Sequence, residues 1–112
     1  MSNLNPEFKT KWLTALRSGE YQQCRHKLAR TNVGGTGTSY CCIGVAAKVA
    51  GYVVRPGYDR IGRTNAEFDS VSGYEAMNDF GLTVGDRATL ISMNDEKMNL
   101  FAEIADHIER TL

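Results

Sequence analysis

The chain lacks a long hydrophobic run. It has 112 residues, and its longest apolar stretch, residues 41–47, is interrupted by Gly44 and followed by Lys48. A membrane-spanning helix needs about 18 consecutive apolar residues, so the sequence predicts none. Residues 1–11 are polar and show no apolar segment followed by a small-residue cleavage site. We therefore expect a protein that is not secreted.

Cysteine is scarce, and the number is odd. The chain has three cysteines, Cys24, Cys41 and Cys42. Three cysteines cannot all pair within one chain, and a bridge between two adjacent cysteines would be strained. We therefore expect three reduced thiols, which is typical of a cytosolic protein.

Internal repeats and low-complexity segments are absent as well. A chain of 112 residues with 42% hydrophobic residues has the usual size of one domain and enough apolar side chains for one core. We predict a single α+β domain over residues 1–112. It would have four or five helices around a central buried helix, with a small antiparallel sheet or hairpin.

The formal net charge is zero, but it is unevenly distributed. Residues 1–63 contain ten Lys and Arg against three Asp and Glu, and residues 64–112 show the reverse. Such asymmetry indicates either a basic face for an anionic partner or two halves that neutralise each other in the fold or in a dimer. The pI of about 6.7 and the absence of a densely basic helix argue against a dedicated nucleic-acid-binding domain.

The first helix has clear start and stop signals. Asn5 is a good cap and Pro6 suits the first helical position, which predicts a helix over residues 6–18. Apolar residues follow at helical spacing and include Trp12, and Gly19 supplies the stop. We expect this helix to bury Trp12.

Three further helices are predicted from the sequence pattern. Residues 41–50 are apolar on nearly every side, which is typical of a central helix. Thr83 caps another helix, and Asn94-Asp95 is expected to break it. Asn99 is expected to cap the last helix, residues 100–112, which carries an apolar stripe opposite a charged face.

The remaining segments favour short strands and turns. Two extended segments surround the glycine-rich residues 34–37, which predicts a hairpin, and residues 52–54 are typical of a short strand. Residues 59–71 are expected to form a loop with one more strand near Phe68. A short helix is predicted over residues 73–80.

One candidate chemistry is cysteine-based catalysis. Cys41 and Cys42 stand near a predicted helix start, where the helix dipole is expected to lower a thiol pKa. Gln22 or Gln23 and His26 would supply the other groups that a cysteine hydrolase or transferase needs. The alternative is that both cysteines are small apolar residues in a buried helix.

A metal site and a nucleotide site are less well supported. Cys24, His26, Cys41 and Cys42 do not have the two-to-four-residue spacing of cysteine pairs in zinc sites. The glycine-rich residues 34–39 lack the Gly-Lys-Thr ending of a nucleotide-triphosphate loop. We predict no metal and no cofactor. Backbone amides of this segment beside basic side chains could still hold an anion. The residues predicted to bind it are Arg17, Arg25, His26, Lys27 and Arg30.

Four stretches of the sequence together resemble a known family. They are residues 12–23, with Ala-Leu-Arg-Ser-Gly at their centre, residues 40–46 (Tyr-Cys-Cys-Ile-Gly-Val-Ala), residues 93–95 (Met-Asn-Asp) and residues 101–106 (Phe-Ala-Glu-Ile-Ala-Asp). In this order they resemble small uncharacterised proteins of bacteriophages and prophages. The resemblance implies an accessory protein that works in the cytosol of a bacterial host.

The resemblance favours a binding function over metabolic catalysis. We expect a protein that antagonises a host process, such as antiviral defence, by binding a host protein or by capturing a small anionic ligand. Two alternatives stay open. One is a cysteine-dependent hydrolase or transferase that uses Cys41 or Cys42, and the other is a structural or assembly protein of the virion that forms homo-oligomers.

Overall fold

The computed structural model describes six segments of the chain, residues 4–25, 29–31, 37–54, 60–62, 71–72 and 81–112. Within them lie four helices: α1 (Pro6–Arg17), α2 (Cys42–Val49), α3 (Val84–Asp95) and α4 (Phe101–Thr111). The same segments contain six short strands: β1 (Gln22–Gln23), β2 (Ala29–Thr31), β3 (Thr38–Tyr40), β4 (Val53–Val54), β5 (Arg60–Gly62) and β6 (Val71–Ser72). The mixture of helices and small sheets confirms the α+β class.

The start and end of α1 follow from its sequence. The Asn5 side chain accepts hydrogen bonds from the backbone amides of Glu7 and Phe8, and a proline occupies the first helical position. Gly19 closes the helix with a φ of 78°, a conformation that glycine adopts without strain. Trp12 is fully buried on the inner face. The predictions for this helix are confirmed.

Helix α2 is the central helix of the core. Six of its eight residues are buried, and it packs against both α1 and α3. The Trp12 indole N–H donates to the Cys42 carbonyl oxygen at 3.0 Å, which ties α1 to the first turn of α2. Gly51, with a φ of 94°, follows the helix and lets the chain turn into β4. The prediction of a central buried helix is confirmed.

Helix α3 ends at Asn94-Asp95 as predicted, but Asn94 is not the local turn residue that this prediction assumed. Thr83 caps α3 as expected, and its hydroxyl and the Asp86 carboxylate form a reciprocal capping box. The helix ends at Asp95, and Asn94 lies in its last turn. Asn94 is fully buried, because its side chain finds hydrogen-bond partners inside the fold and does not turn back onto the local backbone.

The predicted cap of α4 was wrong. Leu100 and not Asn99 occupies the N-cap position, and the Glu103 carboxylate accepts a hydrogen bond from the Leu100 amide at 2.8 Å. Two residues before this N-cap, Met98 has a φ of 56°, which is uncommon for a residue with a side chain. The apolar stripe of α4 is buried as predicted.

Two three-stranded sheets accompany the helices. In the first, β3 lies between β2, which is antiparallel to it, and β1, which is parallel to it. The β2–β3 pairing confirms the strands of the predicted hairpin, whereas the parallel strand β1 was not predicted. In the second sheet, β5 pairs with β4 and β6. β5 falls within residues 59–71, which were expected to be mainly loop; Phe68 and residues 73–80 lie outside the described residues.

Opposite charges meet where α1 packs against α4. One terminal nitrogen of Arg17 lies 2.9 Å from the Asp106 carboxylate and 2.7 Å from the Glu109 carboxylate. The Lys9 ammonium donates to the backbone oxygen of Glu109 at 3.3 Å. At this seam the basic first half and the acidic second half neutralise each other within the fold.

None of the helices in the described part of the chain combines the length and the apolar character needed to cross a membrane.

Candidate functional site

The Asn94 side chain fills a gap at the end of the parallel β1–β3 ladder. The ladder continues past its last paired residues, since the Cys24 amide donates to the Tyr40 carbonyl at 2.9 Å. At the next step Cys42 begins α2, and its amide donates to Asn94 Oδ1 at 3.3 Å. Asn94 Nδ2 in turn donates to the Cys24 carbonyl at 2.9 Å. The carboxamide thus replaces the direct backbone bond that a parallel ladder would form here.

Two more side chains complete this polar cluster. Gln23 Nε2 donates to Asn94 Oδ1 at 2.9 Å and to the backbone oxygen of Asn99 at 2.7 Å. Asn94 Nδ2 also donates to the Asp95 carboxylate at 2.8 Å. The Asn94 carboxamide therefore has partners for its oxygen and its nitrogen, as a buried polar group requires. The cluster joins β1, α2, α3 and the segment before α4.

The Asn94 cluster brings together three of the four stretches that carry the family resemblance. Gln23 belongs to the first stretch, Cys42 to the second, and Asn94 to the third. Sequence reasoning did not identify Asn94 as a core residue. The available signal was its spacing, because Asn94 follows the buried Leu90 by one helical turn and therefore lies on the same face of α3.

The two thiols of the candidate catalytic pair are buried. Cys41 is the N-cap of α2, and its sulfur accepts a hydrogen bond from the Gly44 amide at 3.3 Å. The Cys42 thiol points toward α3 and donates to the Leu90 carbonyl at 3.7 Å. Each sulfur therefore has a structural contact within the core. His26, their proposed partner, lies outside the described residues.

Burial determines the ionisation of these thiols. It raises the pKa of Cys41 to about 12, although the backbone amides of Gly44 and Ile43 act in the opposite direction. Burial also raises the pKa of Cys42 well above its ordinary value. The expectation that the helix start lowers the thiol pKa was wrong, because the loss of hydration outweighs the amide dipoles. Both thiols are protonated near neutral pH.

Two of the predicted anion-binding residues act electrostatically on the Cys24 thiol. The backbone amide of Arg30 donates to the Cys24 sulfur, and the charges of Arg25 and Arg30 both favour the Cys24 thiolate. Burial has the larger effect and raises the pKa of this thiol. The negative charge of the Asp95 carboxylate also raises the pKa of the Cys24 thiol. Arg25 follows β1, whereas Arg30 lies on β2, on the other side of β3, and the charges of both reach Cys24.

Arg25 is incompletely satisfied by the protein. Its Nη2 atom donates to the Met98 carbonyl at a long 3.4 Å. Its Nε atom is buried and has no hydrogen-bond acceptor among the residues that the structure describes. Arg87 Nε on α3 has the same property. A buried N–H without a partner is costly, so an external acceptor would be favourable at either arginine.

The structure places the other predicted anion-binding residues elsewhere. Arg17 forms salt bridges with Glu109 and Asp106 at the α1–α4 seam, and these bonds raise the pKa of its guanidinium above the ordinary value. His26 and Lys27 lie outside the described residues. Of the five predicted residues, Arg25 and Arg30 are those whose charges act on the Cys24 thiol.

A shallow depression of about 540 Å³ lies along α4 and was not predicted. It is lined by Met93, Asn99, Glu103, Asp106, Glu109 and Arg110. Its carboxylates already have contacts within the protein, since Glu103 bonds to the Leu100 amide and two others bond to Arg17. Among the described residues, no group of three or more His, Cys, Asp or Glu side chains is placed to hold a metal ion.

A comparison with known proteins finds a family match within the first half of the chain. A family model described as a domain of unknown function (DUF8296) matches residues 4–54. No curated protein and no solved structure shows a significant match. The matched segment runs from the residues before α1 to the end of β4 and includes Gln23, Cys24, Cys41 and Cys42. Asn94 lies beyond it.

Proposed function

We propose that this chain is a non-enzymatic binding protein that takes an anionic group with Arg25 and Arg30. The observation that carries the proposal is the buried Nε atom of Arg25, which has no acceptor among the described residues. A carboxylate or phosphate oxygen would supply that acceptor in a charge-assisted hydrogen bond. Such bonds are about twice as strong as those between neutral groups.

The charges around Arg25 support an anion at this place. The charges of Arg25 and Arg30 both favour the thiolate of Cys24, and the nearby Asp95 carboxylate offsets one of these two positive charges. Asp95 is itself held by the Asn94 carboxamide at 2.8 Å. One positive charge remains in this set, which favours a ligand or protein group with a negative charge.

The biological setting of the proposal rests on the family resemblance. A phage accessory protein in a bacterial cytosol would use such a site to antagonise a host process, such as antiviral defence. The anionic group would belong to a host protein or to a small sequestered ligand. Nucleic acid fits less well, because the chain has a pI of about 6.7 and no net charge.

The test is recovery of the purified protein from bacterial lysate, followed by native mass spectrometry. We expect an added mass of a few hundred daltons or a co-purifying host protein, and we expect Arg25→Gln/Arg30→Gln to lose it. Arg87→Gln is the matched control, because Arg87 shares the buried Nε atom but lies on α3. Bare wild-type protein, or an adduct that the double variant keeps, would contradict the proposal.

The cysteine-dependent hydrolase or transferase is the alternative. It requires a thiolate at Cys41 or Cys42 near neutral pH, and the burial of both sulfurs argues against it. Iodoacetamide labelling of the folded protein distinguishes the two functions. We expect neither residue to be modified at pH 7 until urea is added, and rapid labelling of either one would favour the enzyme.

The virion structural or assembly protein is the other alternative. It predicts homo-oligomers at micromolar concentration, which light scattering would detect. We expect a monomer, in agreement with the binding-protein proposal.

A further inference from the structure

Cys24 and Cys41 occupy neighbouring positions on adjacent parallel strands. In the β1–β3 ladder Gln22 pairs with Ser39 and Gln23 pairs with Tyr40, so the next step places Cys24 beside Cys41. The Cys24 amide still donates to the Tyr40 carbonyl at 2.9 Å, and the Asn94 carboxamide enters the ladder only at the following bond, between the Cys24 carbonyl and the Cys42 amide.

Neighbouring positions on adjacent strands have a spacing that suits a disulfide. Neighbouring strands lie about 4.8 Å apart, and the two Cα atoms of a disulfide are usually about 4.4 to 6.8 Å apart. Side chains at one step of a ladder point to the same face, and both of these side chains are buried. The charge of a Cys24 thiolate also disfavours ionisation of Cys41. Cys42 is directed elsewhere, since its sulfur contacts the Leu90 carbonyl on α3.

We propose that Cys24 and Cys41 form a redox-sensitive pair that closes to a disulfide when the folded protein meets a peroxide. The first step forms an S–O bond at Cys24 and breaks the O–O bond of the peroxide, which leaves as water or an alcohol. The Cys41 sulfur then attacks the Cys24 sulfenic acid, the S–S bond forms, the S–O bond breaks, and water leaves. Two thiols are oxidised by two electrons, and the peroxide is reduced by two.

Cys24 is the sulfur that reacts first. Arg25 and Arg30 both favour the Cys24 thiolate, and the Arg30 amide donates to it. Among the residues that the structure describes, no cation acts on the Cys41 thiol. Because burial still opposes ionisation of both thiols, we expect a slow reaction that the proximity of Cys41 completes. The inference does not depend on the anion-binding proposal, although the bridge would form beside Arg25.

The bridge would change contacts at both of its ends. The Cys41 sulfur is the acceptor that caps α2 through the Gly44 amide, and the Cys24 sulfur accepts from the Arg30 amide. A disulfide would lock β1 to the first turn of α2 and draw the Cys24 sulfur away from Arg30. Oxidation would therefore change contacts both in the central helix and at the neighbouring arginines.

The experiment treats folded Cys42→Ser with hydrogen peroxide and measures its intact mass and peptide map. Intact proteins that form one disulfide lose about 2 Da, and we expect this loss together with a Cys24–Cys41 cross-linked peptide. Cys24→Ser/Cys42→Ser and Cys41→Ser/Cys42→Ser should not lose it, and circular dichroism checks that each variant is folded. In the wild type the map should show the same bridge.

Three results would overturn the proposal. The first is a folded Cys42→Ser protein that keeps both thiols while its urea-unfolded form oxidises. The second is a disulfide in the wild-type protein that involves Cys42. The third is a set of cross-links that form only between chains.

Discussion

The Oδ1 atom of Asn94 lies 3.3 Å from the backbone nitrogen of Cys42, so a side chain from the last turn of α3 accepts the first free amide of α2. The amides of a helix's first turn have no partner within the helix. Here a buried carboxamide supplies one from another element. The same side chain bonds to the Cys24 carbonyl, so it connects the sheet, the central helix and α3 in one contact set.

Asn94→Ala should strongly destabilise the protein. It removes the partner of the Cys42 amide and of the Cys24 carbonyl, and each buried polar group left unpaired costs about 1 to 3 kcal/mol. We expect a loss of about 3 kcal/mol in the free energy of unfolding, measured by urea denaturation.

Asn99→Ala is the matched control for the Asn94 variant. Gln23 bonds to the backbone oxygen of Asn99, which the substitution keeps. The expected loss is below about 1 kcal/mol, as for most surface substitutions. Equal losses in the two variants would show that the buried carboxamide has no special role.

Local sequence signals predicted the starts of α1 and α3, which local contacts form. Asn5 caps α1 through amides two and three residues away, and Thr83 caps α3 through Asp86, three residues away. These bonds lie within one turn, so the sequence is sufficient to indicate them. The bonds of Asn94 reach residues 52 and 70 positions away, and no local pattern distinguishes it from a turn asparagine.

The candidate site, too, could be predicted only in part from the sequence. The sequence correctly indicated that Cys41 begins a helix, but the thiol pKa depends on how completely other elements cover it. Arg17 and Arg25 have the same charge in the sequence. Only the packing of α1 against α4 shows that Arg17 is engaged by two carboxylates, while Arg25 lies near Cys24.

The buried thiols should make the protein sensitive to alkaline pH. The pKa of Cys41 is raised from 9.0 to about 12 in the folded protein. The unfolded chain therefore loses this proton from about pH 9 upward while the folded chain keeps it, so stability falls as pH rises between these values. Each such thiol contributes a slope of about 1.4 kcal/mol per pH unit in this window.

Cys41→Ser isolates the contribution of one thiol. Serine is a preferred N-cap residue and can accept from the Gly44 amide, but it does not ionise in this range. Urea denaturation at several pH values from 8 to 11 should give a shallower decline for the variant. Tyr40, whose pKa burial also raises, is present in both proteins and does not affect the difference. Identical slopes would indicate that the Cys41 thiol is hydrated in the folded state.

Two glycine-to-alanine substitutions should have opposite effects on stability. Gly85 lies in the first turn of α3, where an added Cβ would meet only the Thr83 hydroxyl at an ordinary 3.9 Å, so alanine's better helix propensity should stabilise by about 0.5 kcal/mol. Gly51 has open space around it but a φ of 94°, and alanine there should destabilise by about 1 kcal/mol through backbone strain alone. Urea midpoints that shift in opposite directions would confirm both. A neutral Gly51→Ala would mean that the turn after α2 can relax to a negative φ.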